Sequence, residues 1–257
     1  MIHETAIVHP DARIGSGVQI GPYSVVDEHV EIGEGTTVGA HAVITGHTRI
    51  GRRNRILHHV SLGEVPQDKK YAGEQTRLEI GDDNVIREFC TFNIGTAQDL
   101  GYTRLGNRNW IMAYVHLAHD CEVGNDTILA NCVQLAGHVS IGDFAILGGF
   151  TGVHQFCRVG AHAITGVGSV VLADVPPYVL AMGNTAQPHG VNAEGLKRRG
   201  FSPGAIKEIR NAYKSLYRSG LKLDEAREAI AQQATDCPEL DVLAQFLATC
   251  SKRSIIR

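Results

Sequence analysis

Aromatic side chains are scarce in this sequence, at 6% of 257 residues, and neither sign of charge dominates: 24 lysines and arginines stand against 27 acidic residues, a net charge of −3. The near-balance speaks against non-specific nucleic-acid binding. No apolar run approaches the roughly 20 residues that span a bilayer, so no stable membrane insertion is expected. Met1-Ile2-His3-Glu4 lacks the basic and then apolar order of a signal peptide, and the chain is expected to be cytoplasmic. The six cysteines form no C-x-x-C pair. They read as small buried hydrophobes in a reducing compartment, not as a disulfide framework or a zinc site. What the sequence does have is glycine, 29 residues of it, which suits a fold of many tight turns and thin aliphatic layers.

An aliphatic residue recurs at every sixth position: Val8, Ile14, Ile20, Val26, Ile32, Val38, Ile44, Ile50, Ile56 and Leu62. The series breaks at Pro66, returns at Ile80, Ile86 and Phe92, and breaks again after Gly95. It then runs from Leu105 to Val171 with Thr165 as its one polar member. Residues two places earlier are mostly small or β-branched (Ala12, Val18, Val30, Thr36, Ala42, Thr48), and glycine often follows, as at Gly15, Gly33, Gly51, Gly124 and Gly142. A helix would repeat near 3.6 residues and a simple strand near 2. A period of six with β-branched neighbours and regular glycine fits short strands joined by sharp corners. Three such strands close one triangular coil of about 18 residues, and stacked coils bury one aliphatic ladder per face. The expected fold is an all-β, left-handed parallel β-helix over residues 1–187, carrying loops at 66–77 and 96–102, with an α-helical C-terminal domain over 188–257.

Both loops interrupt the repeat after a whole number of coils, one coil apart, so both should leave the same corner. Loops gathered on one edge of a rigid solenoid are usually functional. Past Pro188 the pattern turns helical: Ser202-Pro203 suits a helix start, Ile206, Ile209, Tyr213 and Leu216 follow at helical spacing, and Gly220 can end the helix. Further helices are expected over 224–233 and 238–249. They would also cover the open sheet edge of the last coil.

Of 13 histidines, those at positions 9, 29, 41, 47 and 162 read as solvated corner residues. His116, His119, His138 and His154 fall in hexads that share the loop-bearing edge, in successive coils. Parallel strands stack at roughly 4.8 Å, so these side chains should form a column. Eighteen residues after His119 comes Gly137, whose backbone should lie over the His119 ring. A general base beside a bare glycine amide is what acyl transfer requires: the imidazole removes a proton from the attacking group and the N–H holds the oxyanion. Asp120 is placed to orient the ring. No serine or cysteine stands at a matching position as nucleophile, which favours direct transfer.

These residues resemble a specific family, the acyl-[acyl-carrier-protein]–UDP-N-acetylglucosamine O-acyltransferases, which catalyse the first step of lipid A synthesis. The matching stretches are Gly63-Glu64-Val65 with Gln67-Asp68, Lys70 through Glu74, His116 through Cys121, Leu135 through Val139, Val153 through Cys157, Asp174 through Tyr178, and Gly190-Val191-Asn192 with Glu194 through Phe201. The resemblance implies a homotrimer with active sites between subunits, His119 as general base and the Gly137 amide as oxyanion donor. It also implies donor or sugar-nucleotide contacts from Gln67, Asp68, Lys70, His116, His138, His154, Gln155, Asn192, Glu194 and Arg198. No metal or dissociable cofactor is implied, because the acyl group arrives on the phosphopantetheine of acyl carrier protein. That carrier would meet a basic surface of Lys197, Arg198, Arg199, Lys207, Arg210, Lys214 and Arg218.

Two departures bear on specificity. Asn93-Ile94-Gly95-Thr96 stands where the family often has His-Arg-Gly-Thr, which leaves open whether the acceptor is the 3-hydroxyl sugar nucleotide or its 3-amino analogue. Val167 stands where some members have a glycine that measures chain length, so a 3-hydroxyacyl donor of medium length is expected. Three other readings compete. The sister N-acyltransferase carries an additional N-terminal domain, for which repeats beginning by Val8 leave no room. A γ-carbonic-anhydrase-like zinc protein needs two histidines five apart, whereas His116 and His119 are three apart. A pure scaffold would not need clustered loops.

Overall fold

The computed structural model describes residues 1–249 and 254–257. The period of six is a left-handed parallel β-helix. Strands mostly two residues long rotate through Val170–Val171 among three sheets that begin with Ile7–Val8, Arg13–Ile14 and Gln19–Ile20; counting the two strands that follow, the sheets contain, among the described residues, nine, eight and ten strands. Within the repeat each pairs in parallel with the strand one coil on, for example His116↔Gln134 and Leu117↔Leu135. The aliphatic residue of each hexad points inward: Ile44, Leu62, Ile86, Leu105, Ile111, Leu117, Leu129 and Leu135 are wholly buried. At roughly 25 cal/mol per Å² of apolar surface removed from water, this stack is the main driving force of the fold. Thr165, the polar exception, is buried but satisfied, with its hydroxyl on Thr151 Oγ1 at 2.8 Å and accepting from the Gly148 amide.

The corners form three ridges: the first joins first sheet to second, the second joins second to third, and the third joins third back to first. Each corner commonly places one residue in the left-handed backbone region, such as Asp120 at φ 57°, His138 at 63° and Phe156 at 64° on the first ridge. The turn leaves an amide with no partner in the sheet ladder. On the second ridge a polar ladder fills that need: Asp82, Asn107, Asn125 and Asp143 accept from the amides of Arg52, Asp82, Asn107 and Asn125.

Both loops do leave one ridge. The strand Ser61–Glu64 precedes the first and Thr91–Asn93 the second; these are neighbours in the first sheet, and the chain re-enters the second sheet at Arg77–Ile80 and Tyr102–Leu105. Gln187–Val191, around the expected boundary at 188, is a strand lying antiparallel to Val179–Met182 at the end of the third sheet. Helices follow: α1 (Ala193–Arg198), α2 (Pro203–Tyr217), α3 (Leu223–Ala234) and, after a 3₁₀ turn at Pro238–Leu240, α4 (Asp241–Ala248). Ser202 caps α2 by accepting from the Ala205 amide at 3.0 Å. Arg158 fastens the helices to the prism: it pairs with buried Asp174 at 2.9 Å, donates to Phe246 O and stacks on the Phe246 ring.

Candidate active site

The first ridge places His119 directly beneath Gly137. A β-carbon added at Gly137 would stand 2.6 Å from Cε1 and 2.7 Å from Nε2 of the His119 ring, a separation that real β-carbons do not tolerate. A side chain at 137 would therefore force the ring below it to move. The neighbouring amides are committed, Ala136 N to Val153 O and His138 N to His119 O. The Gly137 N–H has no acceptor among the described residues.

The local sequence also fixes the His119 ring. Its Nδ1 lies 2.9 Å from Asp120 Oδ2. Asp120 is buried, and its carboxylate accepts from the Thr96 amide at 3.0 Å and the Thr96 hydroxyl at 2.6 Å. Burial pushes the Asp120 carboxyl up, but hydrogen bonds from His119 and Thr96 outweigh it and hold the group below its usual value. A carboxylate on Nδ1 sets the tautomer with hydrogen there and leaves the Nε2 lone pair free to accept a proton. The thiol of Cys121, next in sequence, donates to Ala136 O and is pushed up to about 12 by burial, so it is no nucleophile.

Around this pair the two loops and the ridge enclose a cleft of about 810 Å³. Gln67, Asp68 and Lys70 line it from the first loop, Gln98 and Asp99 from the second, and His119, Gly137, His138 and Gln155 from the ridge. The first loop is braced by its own contacts: Asp68 Oδ1 accepts from the Lys70 amide, and the Tyr71 hydroxyl donates to Glu74 O. Lys70 makes no ion pair among the described residues. A second cleft of about 780 Å³ lies between the second sheet and α4, away from the histidines.

The other expected site residues are distributed as follows. His138 joins His119 edge-on, with ring centroids 4.9 Å apart, and stacks on Phe156 at 4.2 Å. His116 sits on the first sheet with Nδ1 at 2.7 Å from Thr91 Oγ1, and burial pushes its imidazole below the ordinary value. His154 is exposed on the ridge, with Nδ1 at 3.1 Å from Gln155 O. Asn192, Glu194 and Arg198 are not brought here within one chain. Asn192 caps α1 and donates to His162 O, which puts all three at the second ridge; Glu194 pairs with Lys197. Val167 stands on the third ridge, 79% exposed.

Several features escaped the sequence reading. From the second loop, Thr96 reaches Asp120 of the His119–Asp120 dyad, and Asp99 reaches His138. His162, expected to be a solvated corner residue, is instead packed between Phe144 and Tyr178, with Nδ1 buried and unpartnered among the described residues. Burial and Arg199 push it down to about 4. Arg199 turns back to the Phe144 ring and carbonyl, away from the exposed basic surface. Among the described residues, no three histidines converge as a zinc site would require. His119, Asp120 and His138 offer one ligand atom each within 4.8 Å of one another, but the two histidine Nδ1 atoms already bear carboxylates.

Comparison with known proteins adds an independent line. A model of the second domain of UDP N-acetylglucosamine O-acyltransferases matches residues 174–256, and bacterial transferase hexapeptide repeats match 11–46 and 102–137. The acyl-[acyl-carrier-protein]–UDP-N-acetylglucosamine O-acyltransferase of Thiobacillus denitrificans is 66% identical over 100% of this chain and 99% of its own length. The chain belongs to this O-acyltransferase family. Among solved structures, LpxA from Acinetobacter baumannii superposes with a TM-score of 0.97 at 46% identity, covering 100% of this chain and 99% of that one. The UDP-N-acetylglucosamine acyltransferase of Francisella novicida gives 0.98 at 45% identity, covering 100% and 94%.

Proposed function

We propose that this O-acyltransferase family member moves a (R)-3-hydroxyacyl group from acyl carrier protein to the 3-position of UDP-N-acetylglucosamine, the first step of lipid A synthesis. The observation that carries the reading is the His119 ring beneath the unpaired Gly137 amide, on the ridge that both loops flank. Nε2 of His119 removes the proton of the sugar 3-hydroxyl, and the oxygen attacks the thioester carbonyl. The carbonyl oxygen becomes an oxyanion held by the Gly137 N–H. Collapse expels the phosphopantetheine thiolate, which recovers the proton from the imidazolium. Asp120 keeps Nδ1 protonated and stabilises the transient charge. Direct transfer needs no protein nucleophile, in keeping with the buried, proton-holding thiol of Cys121.

A homotrimer accounts for the scattered residues. Tyr114, Phe150 and Val167 expose large apolar side chains along the third ridge, at 55%, 68% and 79%, a strip that a neighbouring copy would cover. A neighbour would also bring Asn192, Glu194 and Arg198 within reach of the sugar nucleotide, where a guanidinium suits a diphosphate. His116, His138, His154, Gln155 and the first-loop residues Gln67, Asp68 and Lys70 serve substrate binding from the near side. Lys207, Arg210 and Lys214 are exposed along one face of α2, with Arg218 exposed at its C-cap, a stripe suited to an acidic carrier protein. No helix among the described residues is long and apolar enough to cross a membrane. Cys90, Cys121, Cys132 and Cys237 stand as free thiols, as a reducing compartment would keep them.

The test is incubation of the purified protein with UDP-N-acetylglucosamine, or its 3-amino analogue, and a ladder of 3-hydroxyacyl carrier proteins. A 3-O-acylated product from the hydroxyl sugar is expected. Turnover of the amine alone would reassign the acceptor.

A further inference from the structure

His138 carries a second carboxylate that the reaction above does not use. Its Nδ1 lies 2.6 Å from Asp99 Oδ2, a residue of the second loop, so the ridge holds two imidazoles in successive coils, each with a carboxylate on Nδ1. The backbone of His138 is already fixed by its amide on His119 O and by its left-handed corner conformation. The fold therefore does not need Asp99 to place residue 138; what Asp99 decides is the rotation of the ring about its side-chain bonds. With Phe156 stacked on one face and Asp99 on Nδ1, the ring has one polar atom left, Nε2, for whatever occupies the cleft. The same contact holds the tip of the loop, whose base is tied to the dyad through Thr96 and Asp120. Asp99 lines the same cleft as Gln67, Asp68 and Lys70 of the first loop.

We propose that Asp99 is a positioning residue for acceptor binding: it fixes the tautomer and rotation of His138, so that Nε2 meets the sugar nucleotide, and it holds the second loop as a wall of the acceptor cleft. The inference rests on the acyl-transfer reading of this site. A carboxylate on the far nitrogen of a histidine is the usual device for fixing which nitrogen acts.

The experiment compares wild type, Asp99→Ala, His138→Ala and the double variant, with kcat and KM for UDP-N-acetylglucosamine measured at saturating 3-hydroxyacyl carrier protein. Asp99→Ala should raise KM about 10-fold and change kcat less than about 3-fold, the pattern of lost ground-state positioning. In the His138→Ala background the same substitution should change KM by a factor of about 1, because its effect passes through the ring. Asp99→Glu should recover much of the wild-type KM. Nitrogen-edited NMR of the imidazoles should show hydrogen on His138 Nδ1 in wild type and a mixed tautomer in Asp99→Ala, whatever the activity. Multiplicative effects in the double variant, or an unchanged tautomer, would overturn the proposal while leaving the transferase reading intact. A wild-type protein without transferase activity would overturn both.

Discussion

Gly137 lies one coil above His119, and the ring below occupies the space that any β-carbon at 137 would need, 2.6 Å from its Cε1. Gly137→Ala should therefore tilt the imidazole and crowd the amide without disturbing the coil, whose ladder bonds run through Ala136 and His138. Misplacing a catalytic group by about 1 Å costs on the order of 100-fold in rate. The expected result is a loss of that size in kcat/KM with a melting temperature close to wild type. Unaltered kinetics would show that the ring is free to move.

Asp120 links the dyad to the second loop, so its removal should cost both rate and stability. Asp120→Asn presents an amide to His119 Nδ1 and removes the oxygen that accepts from the Thr96 hydroxyl, while Oδ1 can still take the Thr96 amide. A fall of about 10- to 1000-fold in kcat is expected from the lost tautomer control, together with about 1–3 kcal/mol of destabilisation from unpaired buried groups. Steady-state kinetics and denaturant unfolding measure the two separately.

His162 and Asp120 each give stability a pH-dependent contribution. His162 titrates near 4 in the fold, below its unfolded value of about 6.5, so the unfolded chain binds more protons between them and stability declines as the pH falls through that range. The contribution is on the order of 2 kcal/mol and should be largely absent in His162→Phe, which keeps the stack on Phe144 and Tyr178. Asp120, held below its ordinary value, contributes stability above an unfolded value of about 3.9, which is lost at still lower pH. Melting curves of wild type and His162→Phe between these limits check the His162 contribution.

Under the proposed function, Val167 and the α2 cations would meet opposite ends of the donor. Val167→Gly should shift donor preference toward longer 3-hydroxyacyl chains, and because Val167 stands on another ridge from His119, the shift should require the assembled oligomer. Lys207→Glu with Lys214→Glu should raise KM for the acylated carrier protein about 10-fold or more at low salt, less at high salt, and leave KM for the sugar nucleotide unchanged.

How much of this was legible in the sequence follows from the repeat itself. With three hexads to a coil, adding 18 finds the neighbour above, and that arithmetic places Gly137 over His119 and both loops on one ridge. It has no purchase on residues outside the repeat. Thr96 and Asp99 belong to a loop whose path no register specifies. The buried polar ladder through Asn54, Asn84 and Asn109 was hidden because the two loops stretch its spacing to 30 and 25 residues before Thr127 restores 18. His162 was misread because its neighbours Tyr178 and Arg199 come from beyond the repeat.

The measurement that bears most directly on the account is the rate of acyl transfer from 3-hydroxyacyl carrier protein to UDP-N-acetylglucosamine by wild type and by His119→Ala, each verified as folded. Loss of the general base should lower the rate at least about 100-fold while leaving the oligomer intact. A folded His119→Ala protein transferring at the wild-type rate would contradict it.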